Sequence, residues 1–439
     1  MSDKQFKTAP VLGASVGSAI EYFDFSVYGL LAPTLGPLFF PNQSTSGAIL
    51  ASLAIFGSAF VIRPLGGIVL GRLGDRVGRS PVLITTILGM GLCSIIMGLL
   101  PTDAQVGPAA AWLLLVCRLI QGFFAGGEVS GATTYIAECA PIDKRGFFGA
   151  FNPAGVSVGI ALAAATVGSA YALIPADDMA TWGWRIPFIS SICLVAVGLW
   201  LRIRLEDTAQ FHQLAEHGQV AKAPLSEVLR DHRSSLVKTI GLAFGMTSTA
   251  YLGLVYFNIY LTRVNHYDRR AIFWLLALAP LVASFCMPFI GGLSDRFGRR
   301  RLLLVGFAGY FVVIPVAMTL MSQASLPLAS FATLLAFAPY AMVQSVAYPS
   351  YAELFPARVR YTGVSLGVNI GSICGGATTP FICTWLVERT GVMLSPAFYI
   401  MVCCGIASFA ALRLHNVRHV PASHVGAAEA IANEAISPR

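Results

Sequence analysis

Long apolar runs separated by short polar segments fill the chain. Each run approaches or exceeds the roughly 18 to 20 residues that an α-helix needs to cross a hydrocarbon layer of about 30 Å. The pattern predicts helical spans near 11–38, 48–71, 82–100, 110–138, 147–171, 185–204, 236–262, 270–293, 302–322, 327–353, 361–387 and 395–414. The loops at 39–47, 101–109, 172–184, 263–269, 323–326 and 388–394 hold few basic residues. The alternate loops hold Arg72, Arg76, Arg79, Lys144, Arg145, Arg204, Arg230, Arg233, Arg296, Arg299, Arg300, Arg301, Arg358 and Arg360. The positive-inside rule therefore places those loops and both termini in the cytoplasm. One long polar stretch divides the chain into an N-terminal bundle (1–204), a linker (205–235), a C-terminal bundle (236–414) and a tail (415–439).

The two halves repeat each other. Gly71-Arg72-Leu73-Gly74-Asp75-Arg76-Val77-Gly78-Arg79 recurs as Gly291-Gly292-Leu293-Ser294-Asp295-Arg296-Phe297-Gly298-Arg299, 220 residues later in a chain of 439. Each copy joins two apolar runs, and its glycines permit a sharp reversal and close helix contact. Tyr135-Ile136-Ala137-Glu138, with Lys144 and Arg145 after it, matches Tyr351-Ala352-Glu353, followed by Arg358 and Arg360. Parallel repeats of this kind place a substrate site between the halves, near the bilayer midplane. Gly155 and Gly159 on span five, and Gly363, Gly367, Gly371 and Gly375 on span eleven, form rows at a spacing of four that suit close helix packing.

Five ionisable side chains fall well inside the spans: Glu21, Asp24, Arg63, Arg118 and Glu128. A charge at the bilayer centre costs about 2.5–3.5 kcal/mol on insertion scales, so these groups should face the bundle interior. All five lie in the first half. Three acids against two bases leaves one carboxylate without a basic partner, which suits a proton carrier. Glu21 and Asp24 share a helix face. Asp24 and Arg118 form either a fixed ion pair or one whose partners exchange as a proton or substrate binds. Glu128 divides between coupling and structure. Arg63 is deep enough to meet an anion or to contact helix-end carbonyls. Gln121, Asn152, Tyr251, Tyr256, Asn258, Tyr340, Gln344, Tyr348 and Asn369 are the polar and aromatic candidates for lining a substrate site on facing spans, with helix packing as the alternative for each.

The composition fits this reading, being 56% hydrophobic and 11% charged with mean hydropathy +0.71. The net charge of +8 sits in short loops and does not suggest nucleic acid. Nine cysteines lie mostly inside apolar runs without metal or redox spacing and read as packing residues. No His-Glu-x-x-His, paired-cysteine or Walker pattern occurs, so neither an enzyme nor a nucleotide-driven pump is expected, and no cofactor is implied. Met1–Pro10 is short and polar, and the run after it reads as a retained first span rather than a cleaved leader.

The duplicated charged turn resembles the signature loop of the major facilitator superfamily. Glu21-Tyr22-Phe23-Asp24-Phe25-Ser26-Val27-Tyr28-Gly29, Arg63-Pro64-Leu65-Gly66-Gly67, Gln121-Gly122, Gly126-Gly127-Glu128, Gly183-Trp184-Arg185-Ile186-Pro187-Phe188 and Leu205-Glu206-Asp207-Thr208 resemble its metabolite:proton symporter branch. The resemblance implies an all-α membrane protein, with twelve transmembrane helices in two pseudo-symmetric six-helix bundles. It implies a monomer in the bacterial inner membrane, working on protons and a small organic anion. The branch includes porters for citrate, tricarballylate, 2-oxoglutarate, shikimate, and proline or betaine. Gly375-Gly376-Ala377-Thr378-Thr379-Pro380, through Val387-Glu388 to Ser395-Pro396, looks most like the citrate and tricarballylate porters. The chain also stops soon after span twelve, unlike the osmosensing proline/betaine porter. The expectation is thus a proton symporter for a di- or tricarboxylate such as citrate. Uptake of proline or betaine, or of another organic acid, is the alternative, and a channel or sensor is a remoter one. Similarity to proton-linked sugar porters implies that Asp24 and Arg118, with Glu21 and Glu128 as competitors, couple the proton. It also implies that Glu138, Glu206 and Glu353 latch Arg72, Arg76, Arg79, Arg145, Arg296, Arg299, Arg358 and Arg360, with Asp75 and Asp295 in the turns themselves.

Overall fold

The computed structural model describes residues 9–77, 79–202 and 224–414, apart from the side chains of residues 9, 10, 12, 71, 72, 74–77, 79–81, 83, 176, 201 and 202. Twelve long rods run through the described residues: α1 (Ala9–Phe39), α2 (Thr45–Val77), α3 (Arg79–Leu99), α4 (Ala109–Cys139), α5 (Ile142–Leu173), α6 (Met179–Trp200), α7 (Arg233–Val264), α8 (Arg269–Phe297), α9 (Arg299–Met321), α10 (Leu326–Glu353), α11 (Arg360–Thr390) and α12 (Ser395–Leu412). Ten contain a stretch long and apolar enough to cross a membrane. Of the other two, α1 is 31 residues long but carries Glu21 and Asp24, and α3 is shorter. Large apolar side chains such as Trp112, Phe285 and Phe289 point outward, where lipid would meet them.

Within each half the same packing recurs. Helix α5 lies on α1, and α11 lies on α7. A Cβ on Gly159 would stand 2.0 Å from the Ala19 carbonyl oxygen, and one on Gly371 would stand 2.6 Å from Ala243 Cβ. The small-residue rows are therefore packing seams, and they bring equivalent helix pairs into backbone contact in both halves. Between the halves, α5 packs on α8 and α2 packs on α11.

The signature segments differ from the expected Gly-rich turns. In the second copy α8 stays helical through Phe297, and Gly298 at φ 89° alone makes the reversal before α9. That positive φ is cheap only for glycine. Gly291, about two turns earlier, serves contact instead: a Cβ there would stand 2.3 Å from the Gly146 carbonyl oxygen on α5. Several rods are irregular: α5 opens on a 3-10 turn at Ile142–Lys144 and α6 on a π-helical turn at Met179–Gly183. Helix α4 breaks at Gly126-Gly127. Helix α7 has π-helical segments at Leu252–Tyr256 and Tyr260–Val264, and α11 has one at Ile373–Ala377. Such bulges concentrate at functional sites because each re-aims the side chains beyond it.

Candidate functional site

All five intramembrane charges face inward: Glu21, Arg118 and Glu128 are 0% exposed, Asp24 1% and Arg63 4%. They do not pair as expected. Arg63 bonds Glu21 at 3.0 Å. Its guanidinium lies against the Phe25 ring at 4.2 Å and the Phe60 ring at 4.5 Å, two rings that meet each other edge-on. Glu128 accepts a hydrogen bond from Thr86 at 3.0 Å. Arg118 donates Nη1 to Gln121 Oε1 at 2.5 Å, and Gln121 donates onward to Ser94 Oγ at 2.8 Å. Ser94 in turn faces Asp24. Asp24 and Arg118 are thus joined through Ser94 and Gln121 rather than by direct contact. Asp24 makes no ion pair among the described residues, and its Oδ2 finds no hydrogen-bond partner there.

Arg118 sits in an aromatic cradle, over the rings of Tyr28 at 4.3 Å, Phe25 at 4.7 Å and Phe56 at 5.3 Å. Its Nε and Nη2 find no hydrogen-bond partner. The opposite wall comes from the second half. Tyr251 on α7 sets its ring edge-on against Phe56 and Phe60, and Tyr348 on α10 faces Tyr22. Tyr340 meets Ser157 across the halves at 3.0 Å. Gln344 is buried on α10, and Tyr256 packs on Tyr260 at 5.9 Å. Asn152 lies apart from the seam, bonding Thr133 at 2.9 Å between α5 and α4.

Contacts between the halves close both ends of this space. At the end holding the signature turns, Asp295 accepts from the Gly146 and Phe147 amides at 2.8 and 3.0 Å, so an acid on α8 caps the helical turn Arg145–Gly149 at the start of α5. Arg299 clamps that acid at 2.7 Å and Glu353 at 2.9 Å. Helix α11 also reaches the break in α4. Tyr361 donates to the Gly127 carbonyl at 3.1 Å, while Ser365 and Asn369 donate to the Gly126 carbonyl at 3.4 and 3.0 Å. At the opposite end Asn258 donates to the Leu30 carbonyl at 2.9 Å and Arg263 to the Pro33 carbonyl at 3.0 Å. There Tyr171 also stacks on Phe273 with ring centres 5.2 Å apart.

Of the arginines and acids expected to latch, the structure brings only some together. Arg299 and Glu353 lie 2.9 Å apart. Arg358 instead pairs at 2.7 Å with Glu227, in the short helix Pro224–Asp231 before α7. Arg360 donates to the Ala352 and Phe355 carbonyls, and with Arg145 and Glu353 it lines a small cavity; Glu138 lies within its electrostatic reach. Arg296 points outward. The side chains of Arg72, Asp75, Arg76 and Arg79, and the whole of Glu206, lie outside the described residues. Sequence reasoning passed over Ser94, Phe25, Phe56, Phe60, Tyr361, Ser365, Arg263 and Glu227. Two signals could have found some of them: Phe25 and Phe60 lie one and three residues from predicted charges, and Tyr361, Ser365 and Asn369 repeat at a spacing of four.

Known proteins match this architecture throughout. The sugar (and other) transporter family model matches residues 11–235 and again 210–425. The proline/betaine transporter of Salmonella typhimurium is 34% identical over 420 residues, covering 94% of this chain and 84% of the relative. The shikimate transporter of Escherichia coli is 34% identical over 410 residues, covering 92% and 94%. The E. coli xylose transporter XylE, in a partially occluded inward open conformation, superposes with a TM-score of 0.71 at 18% identity, covering 93% of this chain and 97% of that one. The relatives are proline/betaine and shikimate transporters rather than citrate porters, which corrects the likeness to citrate carriers expected from spans eleven and twelve. With two matches to the family model that together cover most of the chain, the chain belongs to the sugar (and other) transporter family, and it is a multi-pass membrane transporter rather than an enzyme.

Proposed function

We propose that the protein imports a small zwitterion of the proline or betaine class together with a proton, by alternating access. The observation that carries this reading is that Arg118 is buried in aromatic faces with two nitrogens unpartnered, while Arg63 is already matched by Glu21. One arginine without a counter-charge suits one carboxylate. The aromatic faces suit the ammonium of the same molecule, because ring quadrupoles attract cations. A tricarboxylate would bring three negative charges to a core whose own five ionisable groups already count three acids against two bases. Relatives that carry proline and betaine support the zwitterion. The shikimate transporter supports a second reading, a hydroxylated monocarboxylic acid, which would use the same arginine.

Asp24 is the proposed proton site, with Glu21 and Glu128 as the alternatives. A buried carboxylate without a counter-ion is costly, and protonation removes that cost. The relay through Ser94 and Gln121 would let Arg118 respond to the proton without touching Asp24. In this scheme residues 1–204 and 236–414 rock as two bodies joined by 205–235. The signature-turn end and both termini face the cytoplasm of a bacterial inner membrane.

The test is uptake into proteoliposomes of purified protein under an imposed proton gradient, with thermal stabilisation as the binding readout. Saturable, gradient-driven proline or betaine uptake is expected, with citrate inert. Stabilisation and uptake confined to citrate would overturn the proposal, and preference for shikimate would select the second reading.

A further inference from the structure

Among the described residues, the buried hydroxyls of Tyr251, Tyr256 and Tyr310 on the second half find no hydrogen-bond partner. Two of them look away from the charged core. Tyr256 lies near Cys383 and Tyr260, and Tyr310 near Thr249 and Cys404. Tyr251 alone of the three lies within electrostatic reach of the charged core, where Tyr22, Arg63, Glu21 and Arg118 surround it, and it shares the Phe56 ring with Arg118. Its ring is held from two sides. Phe56 and Phe60 of α2 meet it edge-on, with ring centres 5.6 and 5.4 Å away. On α11, a Cβ at Gly376 would stand 2.9 Å from the ring, so the π-helical turn Ile373–Ala377 presents a glycine where Tyr251 must fit. The residue is packed tightly enough to fix where its hydroxyl points, and that hydroxyl is nonetheless unsatisfied. Buried donors left in this way carry a desolvation cost that a ligand can remove.

We propose that Tyr251 is a specificity-determining residue: its hydroxyl and the unpartnered Nε and Nη2 of Arg118 together form a carboxylate subsite that spans the two halves. The inference rests on the reading that the cargo carries a carboxylate. It adds a residue and a consequence. Arg118 belongs to α4 and Tyr251 to α7, so a carboxylate bound to both ties the first half to the second. A ligand with only the cationic end would sit on the rings without making that tie. The carboxylate therefore both selects the cargo and favours the closed arrangement in which the halves meet.

The experiment compares betaine with choline, which keeps the quaternary ammonium and lacks the carboxylate. Affinities are measured by calorimetry on full-length protein, wild type and Tyr251→Phe, the latter keeping the ring against Phe56 and Phe60. Wild type should prefer betaine, and Tyr251→Phe should weaken betaine by about tenfold or more while leaving choline unchanged. Equal weakening of both ligands, or no weakening of either, overturns the subsite. Should the variant not fold, difference infrared spectra of wild type with ring-labelled tyrosine replace it. Betaine, and not choline, should then perturb a tyrosine C–O band, and the absence of that perturbation overturns the proposal. If wild type binds neither betaine nor any other carboxylate, the zwitterion reading fails as well. If it binds betaine and Tyr251→Phe matches it, only the subsite fails.

Discussion

Removing the Asn369 side chain should loosen the signature-turn end without touching cargo affinity. Its amide makes two hydrogen bonds, to the Gly126 carbonyl at 3.0 Å and to Ser365 Oγ at 3.2 Å. Gly126 lies at the break in α4, where the helix hydrogen-bond ladder is interrupted and its carbonyl turns to the other half. In Asn369→Ala that carbonyl keeps only Ser365, at 3.4 Å. Only the bond to Gly126 crosses between the halves, because Ser365 lies on α11 with Asn369, so the lost tie is worth about 0.5–1.5 kcal/mol. That shifts the closed-to-open ratio at this end by about two- to thirteen-fold. Hydrogen exchange read residue by residue is the assay. The Gly146 and Phe147 amides, capped by Asp295, should exchange faster by a factor in that range, as should the first turns of α11. Amides around Asn258 and Arg263 at the opposite end should exchange no faster than in wild type. Uniformly faster exchange at both ends would mean global destabilisation. Lost ligand affinity with unchanged exchange would return Asn369 to the substrate site and refute the latch.

Asp24→Asn should still bind and exchange cargo but lose gradient-driven accumulation; wild-type accumulation would shift the proton to Glu21 or Glu128. Glu21→Gln strands a buried guanidinium and should destabilise the fold by about 3–5 kcal/mol in denaturant melts, with Glu21→Gln/Arg63→Gln recovering part of the loss; equal loss in single and double variants would contradict the pairing. Gly159→Val forces atoms into the Ala19 backbone and should lower stability by about 1–3 kcal/mol or more, whereas Gly391→Ala, with open space around its Cβ but φ 65°, should cost less. Reversal of that order would sink the seam assignment.

The rods were legible because lipid imposes a length and a polarity on every span, and ten of the twelve runs met both in full. The duplicated turn was legible because Asp295 and Gly298 each do a job no other residue type does as well: one caps amides on α5, the other takes a positive φ. The irregularities were not. Nothing in Leu252–Tyr256 or Ile373–Ala377 distinguishes a π-turn from an α-turn, because the extra residue is absorbed by packing against other helices. Side-chain partners were hidden for a similar reason. Arg358 meets Glu227, which belongs to the segment before α7 rather than to any repeat motif, so the internal symmetry gave no hint of it.

The shift from a tricarboxylate to a zwitterion comes from the same limit. Two buried arginines, counted along a sequence, invite an anion with several carboxylates. What a ligand encounters is the charge left after the protein has paired its own groups. Arg63 is held by Glu21 and lies against two phenylalanine rings, so its charge is largely committed. Arg118 shares the Phe25 ring with it but meets only the neutral amide of Gln121. The two arginines differ in partners and not in burial, and partner identity is the one property that spacing along a helix cannot supply. A buried charge committed to a protein partner stabilises the bundle, whereas one left over recruits cargo. With Asp24 protonated, as proposed, the unpaired charge in this core is one guanidinium among aromatic faces, which a single carboxylate carrying its own cation would neutralise without adding net charge to the site.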